Sequence, residues 1–86
     1  MSAVSAATGV SEEEIAGDRR FRRVVTARHF FFYLAYTMTK HSLREIAGTK
    51  HHTIVLHGVK KTKKMVASDP DATIFVRRLE TQLEAR

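Results

Sequence analysis

One segment of the chain suits a β-strand, and no second segment is available to pair with it. The aromatic run at residues 30–33 fits a pleated surface because aromatic side chains favour strands. A lone strand is not stable, since its backbone groups need a neighbouring strand. The same run lies within apolar residues spaced by three and four, as on one face of a helix: Phe31, Leu34, Ala35 and Met38. The pattern therefore predicts an all-α fold, with a long helix capped at Thr26.

Caps and helix breakers divide both ends of the chain into shorter helices. A weakly apolar first segment closes at Gly9, because glycine suits the position after a helix end. Ser11 with three glutamates after it is typical of a helix start, and that helix ends at Gly17. Near the other end, Asp69 caps a last helix with Pro70 at its first position. The predicted core positions of this last helix are Phe75, Val76, Leu79 and Leu83.

The length of the chain predicts a single domain covering residues 1–86. The sequence contains no cysteine, which excludes a disulfide and a cysteine-ligated zinc site. Residues 1–9 do not form a signal peptide, and the longest apolar run is far shorter than the roughly 20 residues of a membrane span. We therefore expect a protein of the cytoplasm.

Positive charge is concentrated in the middle of the chain. Twelve of the fifteen lysines and arginines lie in residues 19–64, where Glu45 is the only acid. Such a concentration is typical of a protein that binds a polyanion. Residues 19–23 form a basic knot with one aromatic, which favours an extended arm. A solvated basic face and an anionic membrane surface are the alternative explanations of this charge.

A helix-turn-helix is predicted at residues 42–64. The pattern Ser42-x-x-Glu45 is a capping box that begins a short helix ending at Gly48, and a longer basic helix follows from about His52 to Ala67. The first turn of the longer helix carries side chains that suit base edges in a major groove: His51, His52, Thr53 and Ile54. Double-stranded DNA is therefore the predicted partner.

Two motifs stand in this part of the chain: T-K-H-S-L-R-E-I at residues 39–46 and H-T-I-V-L-H-G-V-K-K at residues 52–61. They resemble the C-terminal DNA-binding domain, domain IV, of the bacterial replication initiator DnaA. The family pattern is roughly T-x-H-S-L-x-E-I followed by D-H-T-T-V-x-H-A-x-x-K-I, and the likeness extends over residues 4–86. The resemblance implies a compact, Trp-repressor-like helical bundle that binds replication-origin boxes and is not an enzyme.

The resemblance also implies roles for individual residues. His52, Thr53 and Ile54 would read bases in the major groove, Arg20 would enter the minor groove, and Leu56 would pack near the DNA backbone. The other predicted contacts are cations expected to meet phosphates, the remaining arginines of the arm, residues at the start of the long helix and the rest of the first turn of the basic helix. They are Arg19, Arg22, Arg28, His29, Arg44, Lys50, His51, Lys60 and Lys61.

The chain departs from the family pattern at two places. Between its E-I and H-T pairs it has three residues fewer than the family usually has, which shortens the first helix of the motif or tightens the turn. His51 stands where the family keeps a capping aspartate, so Thr49 is the expected alternative cap. Both departures leave the target DNA sequence open.

Other functions remain as alternatives to origin-box binding. One alternative is a stand-alone transcriptional regulator of phage or mobile-element type with a different DNA target. Another is a helical protein-interaction module that has lost DNA binding. Such a module would self-associate through Phe32 and Tyr36, which are predicted to lie off the core face of the long helix. The histidines lack the spacing of a helical zinc site, so no metal or cofactor is expected. A DNA-binding protein of this kind is expected at the nucleoid.

Overall fold

The computed structural model describes residues 2–39, 41–48 and 50–84, and every regular element in these ranges is a helix. The helices are α1 (Ser2–Thr8), α2 (Glu12–Ala16), α3 (Arg22–Met38), α4 (Leu43–Ala47), α5 (His52–Ser68) and α6 (Pro70–Glu84). Helix α3 packs against each of the other five. The predicted all-α fold is confirmed, and α3 is its central element. No helix in the described ranges is long and apolar enough to cross a membrane.

The caps predicted at Ser11, Ser42, Gly48 and Asp69 are confirmed. Capping boxes join Ser11 to Glu14 at the start of α2 and Ser42 to Glu45 at the start of α4. Gly48 ends α4 with a φ of 61°, in the left-handed region that glycine tolerates. Asp69 accepts a hydrogen bond from the backbone N–H of Asp71 at 3.0 Å, which caps α6.

The central helix begins at Arg22, so the predicted start at Thr26 is wrong. Phe21 occupies the N-cap position and supplies no side-chain hydrogen bond, so no capping residue marks this start. The helix extends this far because Val24 and Ala27, one turn apart, are both fully buried. Of the basic knot at residues 19–23, the last two residues are therefore helical, and only the residues before them are extended.

Buried side chains form two clusters on different sides of α3. The larger joins α1, α2, α3 and α6 and includes Val4, Ile15, Val24, Leu34 and Leu79. The smaller belongs to the helix-turn-helix and consists of Phe32, Ala47, Val55 and Val59. Because α3 is covered on both sides, it buries more residues than one amphipathic stripe predicts.

This double coverage corrects the prediction for the exposed aromatics. Phe32 is 3% exposed, whereas Tyr36 is 45% exposed as predicted. The predicted self-association through Phe32 is wrong, because the Phe32 ring lies inside the smaller cluster. A contact through Tyr36 stays a prediction.

Helices α3 and α5 approach each other closely at Gly58. A Cβ atom at this position would lie 2.9 Å from Cδ2 of His29 and 2.9 Å from Cδ2 of Phe32. The His29 ring is buried and meets the ring of His57 edge-on, with 5.9 Å between centroids. The missing side chain therefore sets how closely the basic helix lies on the central helix.

We expect Gly58→Ala to destabilise the fold. Alanine favours a helix over glycine by about 1 kcal/mol, but forcing a methyl group between packed rings costs about 1–3 kcal/mol. The expected net loss is about 1 kcal/mol in the free energy of unfolding, measured by urea titration followed by circular dichroism. A variant as stable as the parent chain would show that α3 and α5 can separate without cost.

The free energy of unfolding should fall in mild acid because of His29. Burial, with Lys61, His57 and Arg28 nearby, lowers the pKa of His29 below its ordinary value of 6.5. The unfolded chain therefore binds a proton more readily than the folded chain does. The contribution is complete above about pH 6.5 and is lost as the pH falls toward the lowered pKa. Urea titrations at pH 8 and pH 5 give the difference in the free energy of unfolding between the two pH values. This difference should be smaller for His29→Gln than for the parent chain, and an equal difference in both would assign the pH dependence to other groups.

Candidate nucleic-acid interface

The first turn of α5 is capped by a histidine. The backbone N–H of Thr53 donates a hydrogen bond to Nδ1 of His51 at 3.3 Å, and the Thr53 hydroxyl oxygen lies 2.6 Å from the same nitrogen. His51 therefore takes the capping role itself; Thr49, the expected cap, lies outside the described residues. Because Nδ1 accepts, the ring proton is on Nε2, which is left as a hydrogen-bond donor. The His52 ring stacks on that of His51 with 4.5 Å between centroids.

The side chains of this first turn differ in exposure. His51 and Thr53 are exposed, and Ile54 is 45% exposed. His52 and Leu56 are half-buried, so they offer only part of their surface to a partner. The turn thus presents a ring N–H, a hydroxyl with its methyl group, and an aliphatic chain side by side.

Exposed cations lie on α4 and on the later turns of α5. The exposed lysines on α5 and the exposed arginine on α4 are Lys60, Lys61, Lys63, Lys64 and Arg44. The four lysines belong to one run on the predicted recognition helix, and this run as a whole is expected to meet phosphates. Cations beside a reading surface are the groups that neutralise phosphates.

The arm also presents its side chains to solvent. Arg19, Arg20 and Arg22 are exposed, as the prediction requires. Arg23 is exposed as well and lies 3.9 Å from the carboxylate of Glu14. Phe21 is 62% exposed between these arginines, and sequence reasoning gave it no role.

Arg28 is a predicted DNA contact, but its side chain lies inside the protein. Its side chain is 7% exposed, and its guanidinium donates to three backbone carbonyls. Nε lies 2.8 Å from the oxygen of Ile15, and Nη2 lies 2.9 Å from that of Glu14 and 3.0 Å from that of Arg19. These bonds direct the guanidinium inward, so we reassign Arg28 to holding the end of α2 and the start of the arm.

His29 and Lys50 are also directed inward rather than toward a partner. His29 is 9% exposed and packs on Gly58. The ammonium of Lys50 lies 2.5 Å from the oxygen of Ala16 and 3.5 Å from a carboxylate oxygen of Asp18. The predicted surface contacts of these residues are corrected accordingly, because their polar atoms face the protein itself.

Two cations therefore meet at the C-terminal end of α2. The carbonyls of the last helical residues lack helical partners and carry the negative end of the helix dipole. Arg28 binds Glu14 and Ile15, and Lys50 binds Ala16. The segment that leads into the arm is thus attached both to the central helix and to the turn before α5.

Comparison with known proteins identifies a family to which the sequence is similar. The family model described as the bacterial DnaA protein helix-turn-helix matches residues 1–62. A chromosomal replication initiator protein DnaA of Rhodopseudomonas palustris (strain BisB18) is 40% identical over 78 residues, covering 87% of this chain and 16% of the relative.

Relatives from other bacteria match to a similar extent. The initiator DnaA of Streptococcus agalactiae serotype Ia is 36% identical over 87% of this chain and 17% of its own length. That of Nitrobacter winogradskyi is 38% identical over 87% of this chain and 16% of its own. The chain thus spans about a sixth of the length of these relatives. With its fold, its capped basic helix and these matches, the chain belongs to the bacterial DnaA helix-turn-helix family, a DNA-binding and non-catalytic domain.

Proposed function

We propose that the chain binds double-stranded DNA at a specific sequence, with α5 in the major groove and the arm in the minor groove. The observation that carries the proposal is the exposed first turn of α5, capped by His51, together with the exposed cations on α4 and on the later turns of α5. The relatives' name, chromosomal replication initiator protein, supports origin-box recognition in replication initiation at the nucleoid as its setting.

The chemistry of the first turn matches base edges. The Nε2–H of His51 suits the N7 and O6 acceptors of a guanine, and the methyl group of Thr53 suits a thymine methyl. The exposed part of Ile54 extends that apolar contact. Half-buried His52 and Leu56 would touch the DNA along the edge of the same surface.

The arm suits a minor groove. A narrow minor groove concentrates negative potential, which attracts arginine. Arg20 is exposed in the extended part of the arm, with Arg19 and Arg22 beside it. We assign Arg20 to the groove and its neighbours to the adjoining phosphates.

The remaining cations are assigned to the DNA backbone. Arg44, Lys60 and Lys61 would neutralise phosphates on both sides of the major groove. These contacts give affinity without discriminating between sequences. The target is best found by selection from random duplexes at fixed salt: an origin-box-like motif supports replication initiation, and another motif indicates a regulator with its own target.

Binding should weaken steeply with salt. About six phosphate contacts predict that the logarithm of affinity falls against the logarithm of salt concentration with a slope of about −5. Lys60→Ala should reduce the slope by about 1 and weaken all sites alike. Fluorescence anisotropy at several salt concentrations measures both quantities. Binding that does not depend on salt would contradict the proposed contacts.

Thr53→Ala should instead affect discrimination between sites. Loss of its methyl and hydroxyl groups should reduce the preference for the selected site over a site altered at one base pair by about 1–3 kcal/mol. The salt slope should not change, because no charge is lost. Competition titrations with the two duplexes test this, and a uniform loss of affinity would place Thr53 away from the bases.

A further inference from the structure

We infer that Lys50 is a positioning residue that fixes the arm relative to the recognition helix. Because the Lys50 side chain ties the arm to the recognition helix, these two elements would meet the DNA duplex at a fixed distance from each other. The inference rests on the proposed function, and it gives Lys50 a role other than contact with a phosphate.

The position of Lys50 links it directly to the first turn of α5. It immediately precedes the capping residue His51, and its backbone N–H donates to the oxygen of Ala47 at 3.0 Å. The start of the side chain is therefore held on α4 and next to α5.

The other end of the Lys50 side chain lies at the base of the arm. Its ammonium contacts Ala16 and Asp18, and Asp18 comes directly before Arg19 and Arg20. The bond to Ala16 joins residues 34 apart in the chain. Without it, the connection from the arm to α5 would run through α3, α4 and their packing.

A lysine is chemically suited to this place. The oxygen of Ala16 belongs to the last residue of α2, where helix carbonyls lack helical partners. An ammonium has three donors, so it can bind this carbonyl and the Asp18 carboxylate together. An apolar side chain of similar length can do neither.

The surroundings of Lys50 distinguish it from the phosphate-facing lysines. Its side chain is 15% exposed, whereas Lys60 and Lys61 are exposed. Arg28 also holds the base of the arm, but it is buried, so replacing it would disturb the fold. Lys50 lies at the edge of the bundle and outside both buried clusters, so its replacement tests the tie alone.

The test is a double-mutant cycle between Lys50→Met and Arg20→Ala on the selected duplex at fixed salt. If Lys50 acts through the arm, each change weakens binding about tenfold, and Lys50→Met in the Arg20→Ala background adds less than about twofold. Lys50→Arg should restore binding to within about threefold, because a guanidinium can bind the same two oxygens. Lys60→Met is the matched control, and its effect should add in full to that of Arg20→Ala.

Footprinting supplies a measurement that a general loss of stability does not move. With Lys50→Met, we expect hydroxyl-radical protection in the minor groove at the arm to disappear. Protection of guanine N7 in the major groove should remain. Thermal unfolding by circular dichroism checks that the variant is folded.

Asp18→Asn provides a second variant with an opposite expectation from simple electrostatics. Removing a negative charge near DNA would tighten binding, whereas loss of the tie would weaken it. Additive effects of Lys50→Met and Arg20→Ala, or an unchanged arm footprint, would overturn the inference while leaving DNA binding intact. Absence of duplex binding by the parent chain would overturn the proposed function and the inference with it.

Discussion

The contact between α3 and α5 at Gly58 organises the domain. Helix α5 carries the exposed cations and the capped first turn, and it lies on α3 as closely as a residue without a side chain allows. The buried rings of His29 and Phe32 fill the space on the α3 side. Helix α3 touches all the other helices, and α5 also packs against α4 and α6, so the orientation of the basic helix depends on the whole bundle as well as on this close contact.

The arm depends on a different kind of interaction. Ile15 anchors the end of α2 in the larger cluster, but the residues that follow it are mostly exposed, and the backbone carbonyls of this stretch are bound by Arg28 and Lys50. Charge-assisted hydrogen bonds of this kind are stronger than neutral ones. The positive charge of the domain therefore has two uses, since some cations face outward and others hold the scaffold that presents them.

Sequence reasoning predicted the elements that depend on local chemistry. The helix start at Ser11, the capping box at Ser42 and the turn at Gly48 follow from neighbouring residues alone, and all are confirmed. The start of α3 was missed because Phe21 is not a capping residue, and the helix extends there to bury Val24. Only tertiary packing decides such a boundary.

The candidate DNA-binding site was also predictable only where the sequence pattern itself decides the position of a residue. The exposed face of α5 and the arginines of the arm follow from the charge pattern and the resemblance. The inward positions of Arg28, His29 and Lys50 do not, because each depends on a residue distant in sequence, such as Ile15, Gly58 or Ala16. A positive charge in a sequence does not indicate whether its partner is a phosphate or a carbonyl of the same chain.

On α5, the residues available for DNA recognition are different from the residues that hold the fold together. Thr53 and Ile54 are exposed and belong to neither buried cluster, whereas Val55 and Val59 on the same helix are buried. Substitutions at the exposed positions can change what the helix recognises while the fold stays intact. A duplicated copy of such a domain can therefore acquire a new target by few mutations at exposed positions, whereas a change at Gly58 or at the buried Val55 and Val59 would disturb the packing of the helix.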